Sequence, residues 1–229
     1  MELTGTDFFS GLLAIILLDL VLAGDNAIVI ALAARNLPKS LQKKAVFWGT
    51  FGAVAVRVAL TAVVVYLLKL PGLMLAGGLL LLPIAWKLLK PGDEGGHEVD
   101  AATSFWAALR TIVVADALMG LDNVLAIAGA SKGHLGLVVL GLLISVPLVV
   151  WGSTLILKLL ARWPVIIYLG AGTIAWTAAR MVTQDGLVDG WFDAHDALRY
   201  LVDAVFIIGI VALGWWTQRR KQIRSGSSA

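Results

Sequence analysis

The sequence predicts an all-α, polytopic membrane protein with seven transmembrane helices, built as a 3+3 inverted repeat plus one extra C-terminal helix. Three observations carry this expectation. The chain of 229 residues is 59% hydrophobic and only 14% charged, with a mean hydropathy of +0.90. Polar side chains so few could not cover the outside of a soluble domain of this length. Long apolar runs recur along nearly the whole chain, as helices in a bilayer require, and they do not alternate like the strands of a barrel. Finally, an acidic motif deep in the first run returns deep in the fourth.

Taken in order, the spans fall at roughly 8–34, 45–68, 71–89, 105–130, 135–160, 164–183 and 200–217. The first holds Asp19, Asp25 and Asn26, and Pro38 closes the join behind it. The second carries Arg57; the third opens at Pro71. Residues 91–104 (PGDEGGHEVDAATS) are polar and rich in glycine, and read as a linker between halves. The fourth span repeats the acids as Asp116, Asp122 and Asn123, the fifth is almost wholly apolar, and Trp163-Pro164 opens the sixth. Residues 184–199 are too polar to span and read as a solvated acidic loop, with Trp191 and Phe192 resting on the membrane surface. The seventh span contains Asp203 and precedes a basic, flexible tail at 218–229. One transport domain, 1–217, is expected, with repeat A at 8–90, repeat B at 105–183 and the extra helix at 200–217.

Basic residues set the orientation. Arg35, Lys39, Lys43 and Lys44 follow the first span, Lys87 and Lys90 the third, Lys158 and Arg162 the fifth, and Arg219, Arg220, Lys221 and Arg224 the last. The other side receives Lys69, Lys132, Arg180 and Arg199 beside the acidic segment. The N-terminus is therefore expected outside and the C-terminus in the cytoplasm of a bacterial inner membrane. Trp48, Trp86, Trp106, Trp163, Trp215 and Trp216 gather near inner span ends, as an aromatic belt does. The acidic N-terminus and the aspartates of the first span argue against a secretory signal.

Laying residue 19 on residue 116 aligns DLVLAGDNAIVIALA with DALMGLDNVLAIAGA and superposes both aspartates and the asparagine. Three spans per half is an odd number, so the halves should insert in opposite senses, and such repeats carry their ion sites where they meet. A carboxylate at the centre of a membrane helix costs about 2.5–3.5 kcal/mol. Asparagine alone would glue helices at about 0.6 kcal/mol per hydrogen bond, without charge. A bound cation explains the carboxylates better.

Residues seven apart nearly eclipse on a helix, so Asp19 shares a face with Asn26, and Asp116 with Asn123. Asp25 and Asp122 fall off those faces; a helix break at Gly24 and Gly120 would turn them in and release backbone carbonyls. Four carboxylates and two amide carbonyls form a hard oxygen set suited to Mn²⁺, Mg²⁺ or Ca²⁺, not to zinc or copper. Four crowded carboxylates cannot all stay ionised when empty, so metal entry should expel protons, which makes proton exchange the natural coupling. Arg57 and Asp203, the other intramembrane charges, read as an ion pair or as gating groups.

Several classes are excluded or disfavoured. With no cysteine there are no disulfides or thiolate metal sites, and His97, His134 and His195 lie in connections without ligand spacing. The formal charge of +3 comes from bases at span ends, so nucleic acid is not an expected partner; the lipid bilayer is. Neither an ATP-binding loop nor a nucleophile–base pair nor a prosthetic-group fingerprint is visible, so an enzyme is not expected.

On the stretches DLVLAGDNAIVIALAARNLP and ADALMGLDNVLAIAGAS the chain resembles the TerC family of integral membrane proteins, particularly its YjbE-like subgroup. The resemblance spans most of residues 5–217. It implies a seven-span exporter of divalent cations, chiefly manganese, akin to the LysE-type transporters. It also implies that Asp19, Asp25, Asn26, Asp116, Asp122 and Asn123 are metal-site residues. This chain has aspartate where some relatives carry glutamate at the first acid. Three alternatives stay open: a calcium–proton exchanger, an amino-acid exporter using Arg57 to recognise an anion, and a non-transporting membrane assembly factor.

Overall fold

A computed structural model describes residues 5–67, 70–89, 101–131 and 134–226. They form eight helices: α1 (Gly5–Ala34), α2 (Lys39–Leu67), α3 (Leu73–Leu89), α4 (Ala101–Ala130), α5 (Leu135–Arg162), α6 (Val165–Thr183), α7 (Asp189–Asp193) and α8 (Asp196–Gly226). No strand occurs among the described residues. Each expected span overlaps one helix of 17 residues or more, and α7 is an addition. Five helices are long and apolar enough to cross a membrane, or six if the two segments of α1 count as one span. At 17 residues, α3 is shorter than these. Large apolar side chains such as Leu13, Leu17, Leu143, Ile144 and Leu148 stand exposed, as they do where lipid is the solvent.

The joins follow from local chemistry. After α1, Gln42 Nε2 donates to the carbonyls of Arg35 and Leu37, both at 3.0 Å, and so satisfies acceptors that the helix end leaves without partners. Pro38 precedes α2 and Pro164 caps α6, positions where the missing N–H costs nothing. Before α3 the chain turns through Gly72, whose φ of 82° suits glycine. The polar linker at 91–104 and His97 lie largely or wholly outside the described residues; His134 and His195 sit in connections, as expected.

Contacts divide the chain into two compact units: residues 1–70 with 101–158, and 71–100 with 159–229. In the first, α4 packs on both α1 and α2. A Cβ placed on Gly11 would stand 3.2 Å from the carbonyl oxygen of Ala130, near one end of α1. Towards its other end, Ile30 and Ala34 share a buried cluster with Ala108 and Ile112. The two helices therefore run antiparallel. By contrast α2 runs parallel to α4, since Gly49 abuts Ile112 and Arg57 reaches Asp116. A Cβ on Gly49 would come within 2.7 Å of Ile112, and one on Gly141 within 2.5 Å of Ile15, so glycine is what lets these helices close up.

In the second unit α3 packs on α6, and α8 on both. Gly78 faces the Ala178 carbonyl, 2.6 Å from where its Cβ would stand, whereas Gly72 meets residue 185, so α3 and α6 are also antiparallel. Gly214 makes room for Leu89 of α3 in the same way. The basic stretch read as a flexible tail is helical in α8 as far as Gly226, and Arg219 lies 4.4 Å over the Trp215 ring.

The acidic segment 184–199 is largely exposed, as a solvated loop would be, but it carries the short helix α7 and one buried carboxylate. Asp185 is only 2% exposed. It accepts the backbone N–H groups of Gly72 (3.1 Å), Leu75 (3.0 Å) and Leu187 (3.0 Å), and so ties the turn before α3 to the end of α6. Arg199 bridges Asp189 and Asp193 at 2.7 and 2.6 Å. Phe192 is buried, while Trp191 stays exposed and stacks on His195. Asp185 is thus committed to backbone donors, and Asp189 and Asp193 are paired. Burial alone would raise the Asp185 carboxyl, but the donors at Leu75, Leu187, Gly72 and Met74 outweigh it and hold the group below its usual 3.8. Its stabilising contribution is therefore complete above that value and is lost as pH falls through the folded one. Asp185→Asn should cost about 2 kcal/mol at pH 7, a drop of several degrees in the unfolding midpoint in detergent. The gap to wild type should close in acid; an unchanged midpoint at pH 7 would refute the assignment.

Candidate functional site

The first acid and the asparagine of each motif copy turn inward within the first unit. Asp19 and Asn26 of α1 are 1% and 2% exposed, and Asp116 and Asn123 of α4 are likewise buried. The shared face expected from the seven-residue spacing is thus the packed face. With α1 and α4 antiparallel, the two motifs cross at about the same depth.

What brings the first acids together is α2. Arg57, 4% exposed, donates from Nη1 to Asp19 Oδ1 and from Nη2 to Asp116 Oδ1, the latter at 2.6 Å. The equivalent aspartates of the two copies therefore hold one guanidinium between them. Its planar fork suits this task, because two terminal nitrogens can face two carboxylates at once. The backbone is braced as well: Thr61 Oγ1 donates to the Arg57 carbonyl at 2.8 Å. Gly120 lies beside the group, where a Cβ would stand 3.7 Å from Arg57 Nε.

The pairing of Arg57 with Asp203, one option read from the sequence, gives way to this arrangement. Asp203 belongs to the second unit, where its Oδ2 accepts from Trp176 Nε1 at 3.3 Å. Arg57 finds its two carboxylates within its own unit, on α1 and α4, and hydropathy does not reveal which helices are neighbours.

The second acids differ in what is described. Asp25 is half-buried; its Oδ1 accepts from the backbone N–H of Asn26 at 2.8 Å, and the group is within electrostatic reach of Arg57. The Asp122 side chain lies outside those described. Near Gly24 the segments Phe8–Leu20 and Gly24–Ala34 meet at 48°, yet α1 stays helical throughout. At this end the chain bends without unwinding. Around Gly120, α4 is helical from Ala101 to Ala130. Among the described residues, no three acidic or histidine side chains are arranged to hold a metal ion.

Ser145 of α5 is a participant that sequence reasoning missed. Its hydroxyl lies within hydrogen-bonding distance of Asp19 Oδ2 and, at 2.9 Å, of the Leu142 carbonyl. The signal was slight: one of three hydroxyls, with Ser153 and Thr154, in a largely apolar run, two residues before Pro147. Among the described residues, Asp116 Oδ2 and Arg57 Nε within the cluster, and Asn26 Oδ1 and Nδ2 and Thr50 Oγ1 on the same helices α1 and α2, are buried without a hydrogen-bond partner. Buried polar atoms are rarely left so.

Removing one partner of a buried ion pair costs about 3–5 kcal/mol, and loss of Arg57 strands two carboxylates at once. In detergent, Arg57→Leu should therefore depress the unfolding midpoint more than Asp116→Asn. Ser145→Ala, which removes one hydrogen bond worth about 1–2 kcal/mol, should be the mildest. An Arg57→Leu protein as stable as Ser145→Ala would contradict the geometry.

Residues 4–222 match the family described as the integral membrane protein TerC family. The chain is 42% identical over 213 residues to the uncharacterized membrane protein YjbE of Bacillus subtilis, covering 93% of this chain and 97% of that protein. It is 24% identical to the uncharacterized membrane protein YkoY of the same organism, over 94% of this chain and 74% of that one. Identity to the UPF0053 inner membrane protein YoaE of Escherichia coli K12 is 25%, over 96% of this chain and 45% of the longer relative. No solved structure matches. By the length of its match and by its likeness to YjbE, this chain belongs to the TerC family of integral membrane proteins.

Proposed function

We propose that the protein is a secondary transporter that exports a hard divalent cation, Mn²⁺ first among them, across a bacterial inner membrane in exchange for protons. One observation carries the reading: Asp19 and Asp116, equivalent acids of a duplicated motif, meet in the buried centre of a helical membrane bundle and hold a cation there. Carboxylates at that depth are costly, and a cation is what makes them tolerable. Here the chain's own guanidinium is that cation.

The remaining motif residues extend the oxygen set. Asp25 and Asn26 on α1, and Asp122 and Asn123 on α4, would join Asp19 and Asp116 around the cargo, giving the hard donors that Mn²⁺ prefers. The antiparallel course of α1 against α4, and of α3 against α6, supports an inverted repeat of three helices per half. With α8 outside the repeat and α3 counted as a short span, the count becomes seven. The basic residues then favour an outer N-terminus and an inner C-terminus. An amino-acid cargo is the weaker reading, since the base that would recognise its carboxylate is engaged by two of the protein's own.

Inverted vesicles with a metal-sensitive dye inside and a pH indicator outside test this directly. Mn²⁺ uptake with counterflow of protons is expected, falling at least about tenfold in Asp25→Asn and in Asp122→Asn, as loss of a charged ligand implies. Undiminished flux in both variants would refute the site, and flux without proton movement would refute the coupling. Competition by Ca²⁺, Co²⁺ and Fe²⁺ ranks the substrates.

A further inference from the structure

The Arg57 guanidinium sits between the two carboxylates that a cargo ion would need most. A permanent ion pair would normally be satisfied on all sides. This one is not. Arg57 Nε and Asp116 Oδ2 lack partners among the described residues, and so do both amide atoms of Asn26, itself 2% exposed. The cluster is also unbalanced. One guanidinium faces Asp19 and Asp116, with Asp25 in electrostatic reach, so acidic side chains outnumber the base. A second base on the other half of the repeat would restore the balance. None is supplied by α5, the counterpart of α2: its bases, Lys158 and Arg162, are exposed near its C-terminal end, and it offers Asp19 only the Ser145 hydroxyl.

We propose that Arg57 is a tethered counter-cation: it occupies the cargo position between Asp19 and Asp116 when no metal is bound, and a divalent ion enters by displacing it. The inference rests on the transport reading above and deepens it, naming the group that the cargo replaces. A guanidinium remains charged at any physiological pH, so it offsets one of the two acidic charges without a proton. It is anchored to α2 and cannot leave, only swing aside on its flexible side chain. A divalent ion brings a second positive charge to a site where acids outnumber the base, and that surplus lets it win the competition. The empty carrier thereby carries its own stand-in for the cargo. Ions of single charge would gain no such advantage over the guanidinium, which gives the site a means of preferring divalent cargo.

The test is Mn²⁺ binding by the purified full-length chain in detergent, measured by calorimetry for wild type and for Arg57→Gln. With the competing charge gone, Arg57→Gln should bind Mn²⁺ at least about tenfold more tightly. Equal or weaker binding by a folded Arg57→Gln protein would overturn the inference while leaving the metal reading intact. Absence of Mn²⁺ binding in both proteins would sink the metal reading, and this one with it. A measurement on wild type guards against a variant that does not fold. Labelling with an arginine-specific dicarbonyl, followed by mass spectrometry of the peptide containing Arg57, should be slow without metal and several-fold faster with saturating Mn²⁺. A labelling rate unaffected by bound Mn²⁺ would equally overturn the displacement.

Discussion

A guanidinium clamped between two carboxylates in an apolar bundle constrains everything around it. Each of α1, α2 and α4 contributes one member, so all three helices must present that member at the same depth and on the same side. A slip of one residue would rotate a side chain by about 100° around its helix and strand a charge among hydrocarbon. The rotation of these helices is thus set electrostatically, even though most of their contacts are apolar. Few packing arrangements of so hydrophobic a chain would survive that condition.

Close approach is what makes the clamp reachable. Aspartate is short, and its carboxylate meets a neighbouring helix only where backbones come near. Gly49 opens α2 to Ile112 of α4, and Gly141 opens α5 to Ile15 of α1. In a bilayer these contacts gain nothing from expelling water, so small residues and interhelical hydrogen bonds supply the cohesion. The Ser145 hydroxyl belongs to that set, and so does the back-bond from Thr61 that steadies the α2 backbone at Arg57. The second unit uses the same means, with Gly78 beneath the Ala178 carbonyl and Gly214 beneath Leu89.

The two motif copies are alike in their acids and served by one base. Asp19 and Asp116 correspond in the duplicated motif, a single Arg57 pairs with both, and α5 brings only the Ser145 hydroxyl to Asp19. The same short motif thus sits in two different surroundings, because the helices packed against each copy differ in sequence.

Much was legible in the residues alone. Composition and span length dictate helices in a bilayer, because an apolar run of such length has no other way to satisfy its backbone. The repeated Asp-x5-Asp-Asn spacing identified the buried acids, since period and charge are local properties of a chain. The partner of Arg57 was a different kind of question. Asp19, Asp116 and Asp203 were all charges within apolar spans, and choosing among them requires knowing which helices are neighbours. Asp185 misled for the same reason: nothing in QDGLVDGW announces that a carboxylate will meet the backbone of a turn more than a hundred residues earlier. Solvent, helices and the repeated acids could be read along the chain, because they follow from hydrophobicity and periodicity. That one arginine joins both motif copies emerged from helix packing alone, because contact between distant residues is a property of surfaces in three dimensions.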